Sequence, residues 1–278
     1  MPCQRLRIAV GLSACLMASA CAPTTATPDG AVRSVLGELS RHNPRAAWDA
    51  LPRRYQQDIQ GLVREVADRL DRETYHQCVT IGRRFADVAR TQRALILEQV
   101  DAPAPGMEPF ILPLADALSV ALDDDLSSLD NLRSLDLGRF ASTTGSRMTE
   151  AFFGALAADG ADPTRRLAEL QVNLLTIDGN RAVVQVVDDR SGSCDELEMT
   201  NVGGRWIPTE LAQLFPSAVA RIRAAIDLLP DPEDPEACGL LQARLSRLED
   251  HIEALADATT AEGFHAALKA AVTPAEPR

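Results

Sequence analysis

The feature that most constrains this chain is a change of hydrophobic period at Gln171. Before it, apolar residues recur at three- and four-residue spacing, as in helices that bury one face. After it they alternate, as in half-buried strands. Val172, Leu174 and Thr176 alternate with Asn173, Leu175 and Ile177; Asp178-Gly179-Asn180 makes a tight turn, and a valine-rich run follows from Arg181 to Asp188. Arg190-Ser191-Gly192-Ser193 turns the chain again. Cys194 to Val202 alternates, and Gly203-Gly204 is a two-residue hairpin signal before Arg205-Trp206-Ile207. Four strands joined by successive hairpins form an antiparallel meander with one face free to pack on helices. The fold class is therefore α+β, mostly helical, with this meander near residues 171–207.

The helices have legible ends. Asp29 is expected to cap a first helix to about His42, with Val32, Val35, Leu36 and Leu39 on one face; Asn43-Pro44 stops it. A short turn carries Trp48 and Leu51, and a longer helix runs from about Arg53 to Leu70. Asp71 caps the next, to about Gln99. The segment from Ala102 to Pro113 is proline-rich and marks a break. Helices resume through Arg147 to Ala158. Thr209 is expected to cap a helix to about Leu229, followed by the rigid acidic connector Pro230 to Pro235. Leu241, Leu245, Leu248, Ile252 and Leu255 then recur at alternating spacings of four and three. So short a heptad run reads as one arm of a C-terminal helical hairpin, antiparallel to the preceding helix. The expected organisation is a tether over residues 21–28, an α+β body over 29–229 with a helical insertion at about 71–160, and a helical extension over 230–278 packed on the body.

The first 20 residues stand apart. Arg5 and Arg7 precede an apolar stretch from Ile8 to Ala20, followed by Ala18-Ser19-Ala20-Cys21. The stretch is shorter than the roughly 20 apolar residues that span a bilayer, and the pattern is that of a secretory leader. It resembles a bacterial lipoprotein signal peptide, with cleavage between Ala20 and Cys21. The resemblance implies a thioether-linked diacylglycerol and an N-acyl chain on Cys21, enough hydrocarbon for stable anchoring. Ala18 stands where such leaders usually carry Leu, and Ala18-Ser19-Ala20 also fits ordinary signal peptidase, which leaves a soluble periplasmic chain as the alternative. Ala22 in place of Asp favours the outer membrane. Ala22 to Pro28 is small, polar and proline-containing, suited to a tether.

Charge excludes one class of partner. The formal net charge is −12, and loss of Arg5 and Arg7 with the leader takes it to −14. Such a body has no general basic face for nucleic acid. Arg53-Arg54, Arg83-Arg84 and Arg165-Arg166 read as solvated helix faces, and Lys269 is the only lysine. Without the leader and a lipidated Cys21, three thiols remain: Cys78, Cys194 and Cys238. An oxidising periplasm permits one disulfide among them, in any of three pairings. Their spacing matches no zinc pattern.

Two segments carry a second resemblance. Ala31 to Leu36 with His42 to Leu51 is one; Ile177 to Val184, closing with Gly203-Gly204-Arg205-Trp206-Ile207-Pro208, is the other. Together they resemble the nuclear-transport-factor-like (cystatin-like) α+β superfamily, especially bacterial lipoproteins related to it. The resemblance implies N-terminal helices across a curved antiparallel sheet and, in enzymatic members, an acid–base constellation inside a cone. No such set aligns onto this chain, so no catalytic residue is carried over. Fold kinship does not set function.

No residue pattern announces chemistry. His42, His76, His251 and His265 form neither H-x-x-x-H nor H-E-x-x-H. His76 with Asp71 or Glu73 is the candidate acid–base pair. Asp123-Asp124-Asp125 with Ser127 and Asp130 suggests calcium, but Ser128 and Ser134 stand where a calcium loop needs Gly and Glu. Asp188-Asp189 and Asp195-Glu196 are expected to be solvated. Thr144-Gly145-Ser146-Arg147 and Ser191-Gly192-Ser193 lack a nucleophile elbow. Trp48 and Trp206 read as core anchors. No cofactor or metal ligand set is implied. The leading expectation is a non-catalytic, membrane-anchored envelope lipoprotein that binds a protein partner or a small apolar ligand. Any cavity should lie around Trp48, Leu62 and Val66. The alternative is a nuclear-transport-factor-like isomerase or dehydratase using that cavity.

Overall fold

The computed structural model describes residues 26–98, 110–158, 160 and 162–272. Its single sheet is built as the turn signals demand. β1 (Gln171–Asp178), β2 (Arg181–Asp188), β3 (Ser193–Val202) and β4 (Arg205–Pro208) pair antiparallel in sequence order. Gly203 and Gly204 both take positive φ, 59° and 82°, as a mirror-image two-residue turn requires. One expectation fails inside β1. The register shifts between Leu174 and Thr176, so Leu175 is the extra residue of a bulge. Leu174 lies opposite Val184 and Ile177 opposite Ala182. The bulge thus returns Ile177 to the face of Val172 and Leu174, and simple alternation ends there.

That face is covered by α1 (Pro28–Leu39), whose Ala31 packs on Val172, Ala182, Val184, Met199 and Trp206. Thr27, not Asp29, caps α1: its hydroxyl accepts from the Gly30 N–H, and Pro28 opens the first turn where no donor is needed. Asp29 instead pairs with Arg33 one turn on. On the sheet's opposite face, Ile207 joins a second core. Its members are Trp48 and Leu51, from and just after α2 (Arg45–Ala50), Tyr55 from α3 (Arg53–Arg69), and Leu135, Leu137 and Phe140.

The helix expected to run to Gln99 divides at Gln92 into α4 (Arg72–Thr91) and α5 (Arg93–Glu98). Asp71 caps α4 as expected, accepting from the Glu73 and Thr74 N–H groups. Then follow α6 (Ile111–Asp123), α7 (Leu129–Arg133), α8 (Leu137–Ser142), α9 (Thr144–Ala158) and α10 (Pro163–Glu169). Gly82 lets α4 and α6 approach closely, since a Cβ there would lie 2.8 Å from a Leu122 methyl.

After β4 come α11 (Thr209–Ile226), α12 (Pro235–Ala256) and α13 (Ala261–Val272). The Thr209 hydroxyl bonds the Thr200 hydroxyl at 2.7 Å and does not cap α11. α12 and α13 form the C-terminal hairpin, but the heptad of α12 faces α4, not α11. Gln77 bonds Ser246, Arg84 bonds Glu253, and Gln92 bonds the Ala256 carbonyl. Contacts advance together along both helices, so α4 and α12 run parallel. Ile81 and Val88 meet Ile252, Leu255 and Phe264 in a buried cluster. The spacing marked which face of α12 is apolar; its partner lies 164–169 residues away in sequence.

Candidate functional site

Around Trp48, Leu62 and Val66, where any cavity was expected, the described side chains pack against one another. Trp48 is buried among Leu51, Tyr55, Leu137 and Phe140. Tyr55 stacks on Phe215 with ring centroids 3.8 Å apart, and Leu62 packs on Val219 and Ile226 with Val66 alongside. At the rim of this packing, burial pushes the Asp49 carboxyl above its ordinary range, opposed by the positive charges of Arg45 and Arg205. Arg205 donates to the Asp49 carbonyl, and the buried Arg45 Nε has no hydrogen-bond partner among the described residues.

A polar groove of about 350 Å³ lies elsewhere, between α4 and α12. Glu73, His76, Gln77 and Thr80 line it from α4; Gln242, Ser246 and Glu249 line it from α12. The helical period places these four α4 residues on one face. Two ties fix its walls: Gln77 Nε2 donates to Ser246 Oγ at 3.0 Å, and Arg84 lies 3.0 Å from Glu249. Glu73 and His76, the sequence candidates, meet here. Asp71 does not join them, because its carboxylate is spent on the α4 cap, where the Thr74 hydroxyl adds a third bond at 2.6 Å. Burial pushes the Asp71 carboxyl up, but the bonds from Thr74 and Glu73 outweigh it and leave the group below its ordinary value.

The other candidates are held in structural roles. His42 has φ of 57° and ends α1. Its own N–H and that of Asn43 reach back to the Leu39 and Glu38 carbonyls, the paired closure that normally uses Gly. Its ring bonds Thr164 at 3.2 Å and meets Phe153 edge-on. His251 and His265 lie on α12 and α13, outside the groove. The three aspartates disperse. Asp123 pairs with Arg83, while Asp124 and Asp125 both reach the buried Thr144 hydroxyl and Asp124 also pairs with Arg147. Among the described residues, no group of three or more His, Cys, Asp or Glu could hold a metal ion.

Asp188 corrects its reading as solvated. It is 7 % exposed and ends β2. Burial raises its pKa, but hydrogen bonds from Ser191, Arg190 and Arg166 prevail and hold it below the ordinary value. Its neighbours could not reveal this, because Arg166 comes from α10 on the far side of β1.

Cys78, Cys194 and Cys238 are free thiols. Cys78 is exposed as a residue, yet protein packed round its sulfur and the Asp71 carboxylate hold its thiol up; burial and the same aspartate act on Cys238. Both are poor thiolate nucleophiles. Ala20 and Cys21, the expected cleavage and lipidation sites, lie outside the described residues, as does most of the 21–28 tether. Among the described residues no helix is long and apolar enough to cross a membrane. No family model matches the chain, and neither a curated protein nor a solved structure matches it.

Proposed function

We propose that this is a non-catalytic envelope lipoprotein, held at a membrane by acyl chains on Cys21 and acting through contact with a protein partner. The leader pattern up to Ala20-Cys21 supports the anchor. The close packing around Trp48, Tyr55 and Phe215 supports a reading in which that part of the fold serves as core. Kinship with the nuclear-transport-factor-like superfamily is part of the proposal; α1 lying across one face of an antiparallel sheet supports it. The outer membrane facing the periplasm is the proposed location.

A second reading rests on one observation: His76 and Glu73 line the same groove with Glu249. In it, these groups exchange a proton with a polar substrate held between α4 and α12. The groove is open and polar, without the enclosed apolar walls of most small-molecule sites.

Fractionation of cells expressing the wild type and Cys21→Ser, with the intact mass of each mature chain, tests the anchor. The expected result is acylated wild type in the membrane fraction and soluble Cys21→Ser. An unmodified Cys21 thiol on a soluble wild-type chain overturns it.

A further inference from the structure

The connector that joins α12 and α13 to the body is exposed throughout residues 231–236. Among the described residues, α12 packs on α4 and α13 on α5, and no other element of the body meets them to a comparable extent. Of the 22 residues of α12 only Ile252 and Leu255 are buried, so its packing is concentrated near its C-terminal end. With Phe264 of α13 they close on Ile81 and Val88. Toward the start of α12 the seam opens into the polar groove, where Ser246 and Glu249 face Gln77 and Thr80. The bonds from Gln77 to Ser246, from Arg84 to Glu253 and from Gln92 to the Ala256 carbonyl are exposed. Water competes for such bonds, and each contributes little. The hairpin also supplies its own caps. Asp234 accepts from the Glu236 and Ala237 N–H groups at the start of α12, and the Thr260 hydroxyl accepts from the Gly263 N–H at the start of α13. Neither cap depends on α4.

We infer that α12 and α13 form a flap that lifts off α4 as one unit, turning on the exposed connector, while the sheet and the packing of α11 on α3 stay intact. Lifting bares an apolar strip made by Ile81 and Val88 of α4 with Leu95 and Ile96 of α5. The flap is held down at one end by Ile252, Leu255 and Phe264, and its other end borders the groove. The sheet core has no such open side: Val184 is 0 % exposed and Met199 2 %, with α1 across them. Detaching the flap therefore costs less than unfolding the chain. The chain thus covers its own strip, and the strip is available only in proportion to the open population. The inference holds with or without acyl chains on Cys21.

Native-state hydrogen exchange of the whole chain, read in rising denaturant below the unfolding transition, tests it. Amides of α12 and α13 should exchange at least about tenfold faster than those of β2 and β3, with one common and shallower denaturant slope, because lifting exposes less surface than unfolding. Val184→Ala, in the sheet core, should speed exchange in β2 and β3 and leave α12 and α13 unchanged. A thiol reagent should label Val88→Cys at the rate set by the same opening, with the labelled site located by peptide mass. Equal protection and equal slopes in the flap and the sheet overturn the inference. So does acceleration of α12 and α13 by Val184→Ala, since the chain then opens only as a whole. A Val88→Cys thiol that stays unlabelled while α12 exchanges overturns it as well, because the helix then frays in place. If either variant fails to fold, the slopes of the wild type decide alone.

Discussion

Arg166 donates from Nε to Asp188 Oδ2 at 2.9 Å, fastening α10 to the last residue of β2. The same carboxylate accepts from the Arg190 and Ser191 N–H groups and so also closes the β2–β3 turn. One side chain holds two pieces of backbone and a helix.

Asp188→Ala should therefore lower the thermal midpoint at neutral pH. The pKa of Asp188 is depressed in the folded state, so its stabilisation is present above the unfolded-state value of about 3.9 and is lost as pH falls through the folded value. The difference in midpoint between wild type and variant should shrink as pH drops below about 4. Thermal melts from pH 7 to pH 3 check this; a gap that stays constant or widens on acidification contradicts it.

His42 is a backbone prediction. At φ of 57° an alanine has the same steric penalty as histidine but lacks the ring contacts to Thr164 and Phe153, whereas glycine removes the penalty. His42→Ala should be less stable than His42→Gly by about 1 kcal/mol. Denaturant titration of both variants measures the gap, and equal midpoints would refute the left-handed assignment.

Two glycines should respond oppositely to alanine. Gly37 lies inside α1 with nothing within 4 Å of a built Cβ, so Gly37→Ala should stabilise by about 0.5–1 kcal/mol. Gly82→Ala drives a methyl against Leu122 and should destabilise by about 1–3 kcal/mol. Denaturation midpoints moving in the same direction would contradict the packing of α4 on α6.

Ile252→Ala removes a 5 % exposed side chain from the seam between α4 and α12. A cost of about 2–4 kcal/mol is expected. Hydrogen exchange should accelerate most in α12 and around Gln77 and Ser246, the groove walls, and least in the sheet. Acceleration confined to α11 would point to the antiparallel partner that the heptad spacing first suggested.

The meander was legible because its signals are local: alternation within each strand, and Gly179, Gly203 and Gly204 at the turns. Asp71 was legible as a cap because a short acid before a helical run satisfies donors two and three residues on. The bulge at Leu175 was not, since an extra residue disturbs pairing without disturbing composition. Neither was the α4–α12 groove. Glu73 and His76 could be named from the sequence as neighbours, but Gln242, Ser246 and Glu249 reach them only through a helix pairing that no spacing encodes. The burial of Asp188 was hidden likewise, because a turn aspartate looks solvated until Arg166 arrives from another element.

The parallel run of α4 and α12 also orders events in time. Ile81 and Val88 are made early, while the residues that cover them, Ile252, Leu255 and Phe264, emerge near the end of synthesis. Everything from α5 to α11 must leave the exit path before that seam can close. Contacts so distant along the chain form slowly, so the nascent protein carries a bare apolar strip on α4 until its last helices arrive. A product that stops before Pro235 would keep that strip bare for good, open to chaperones and proteases.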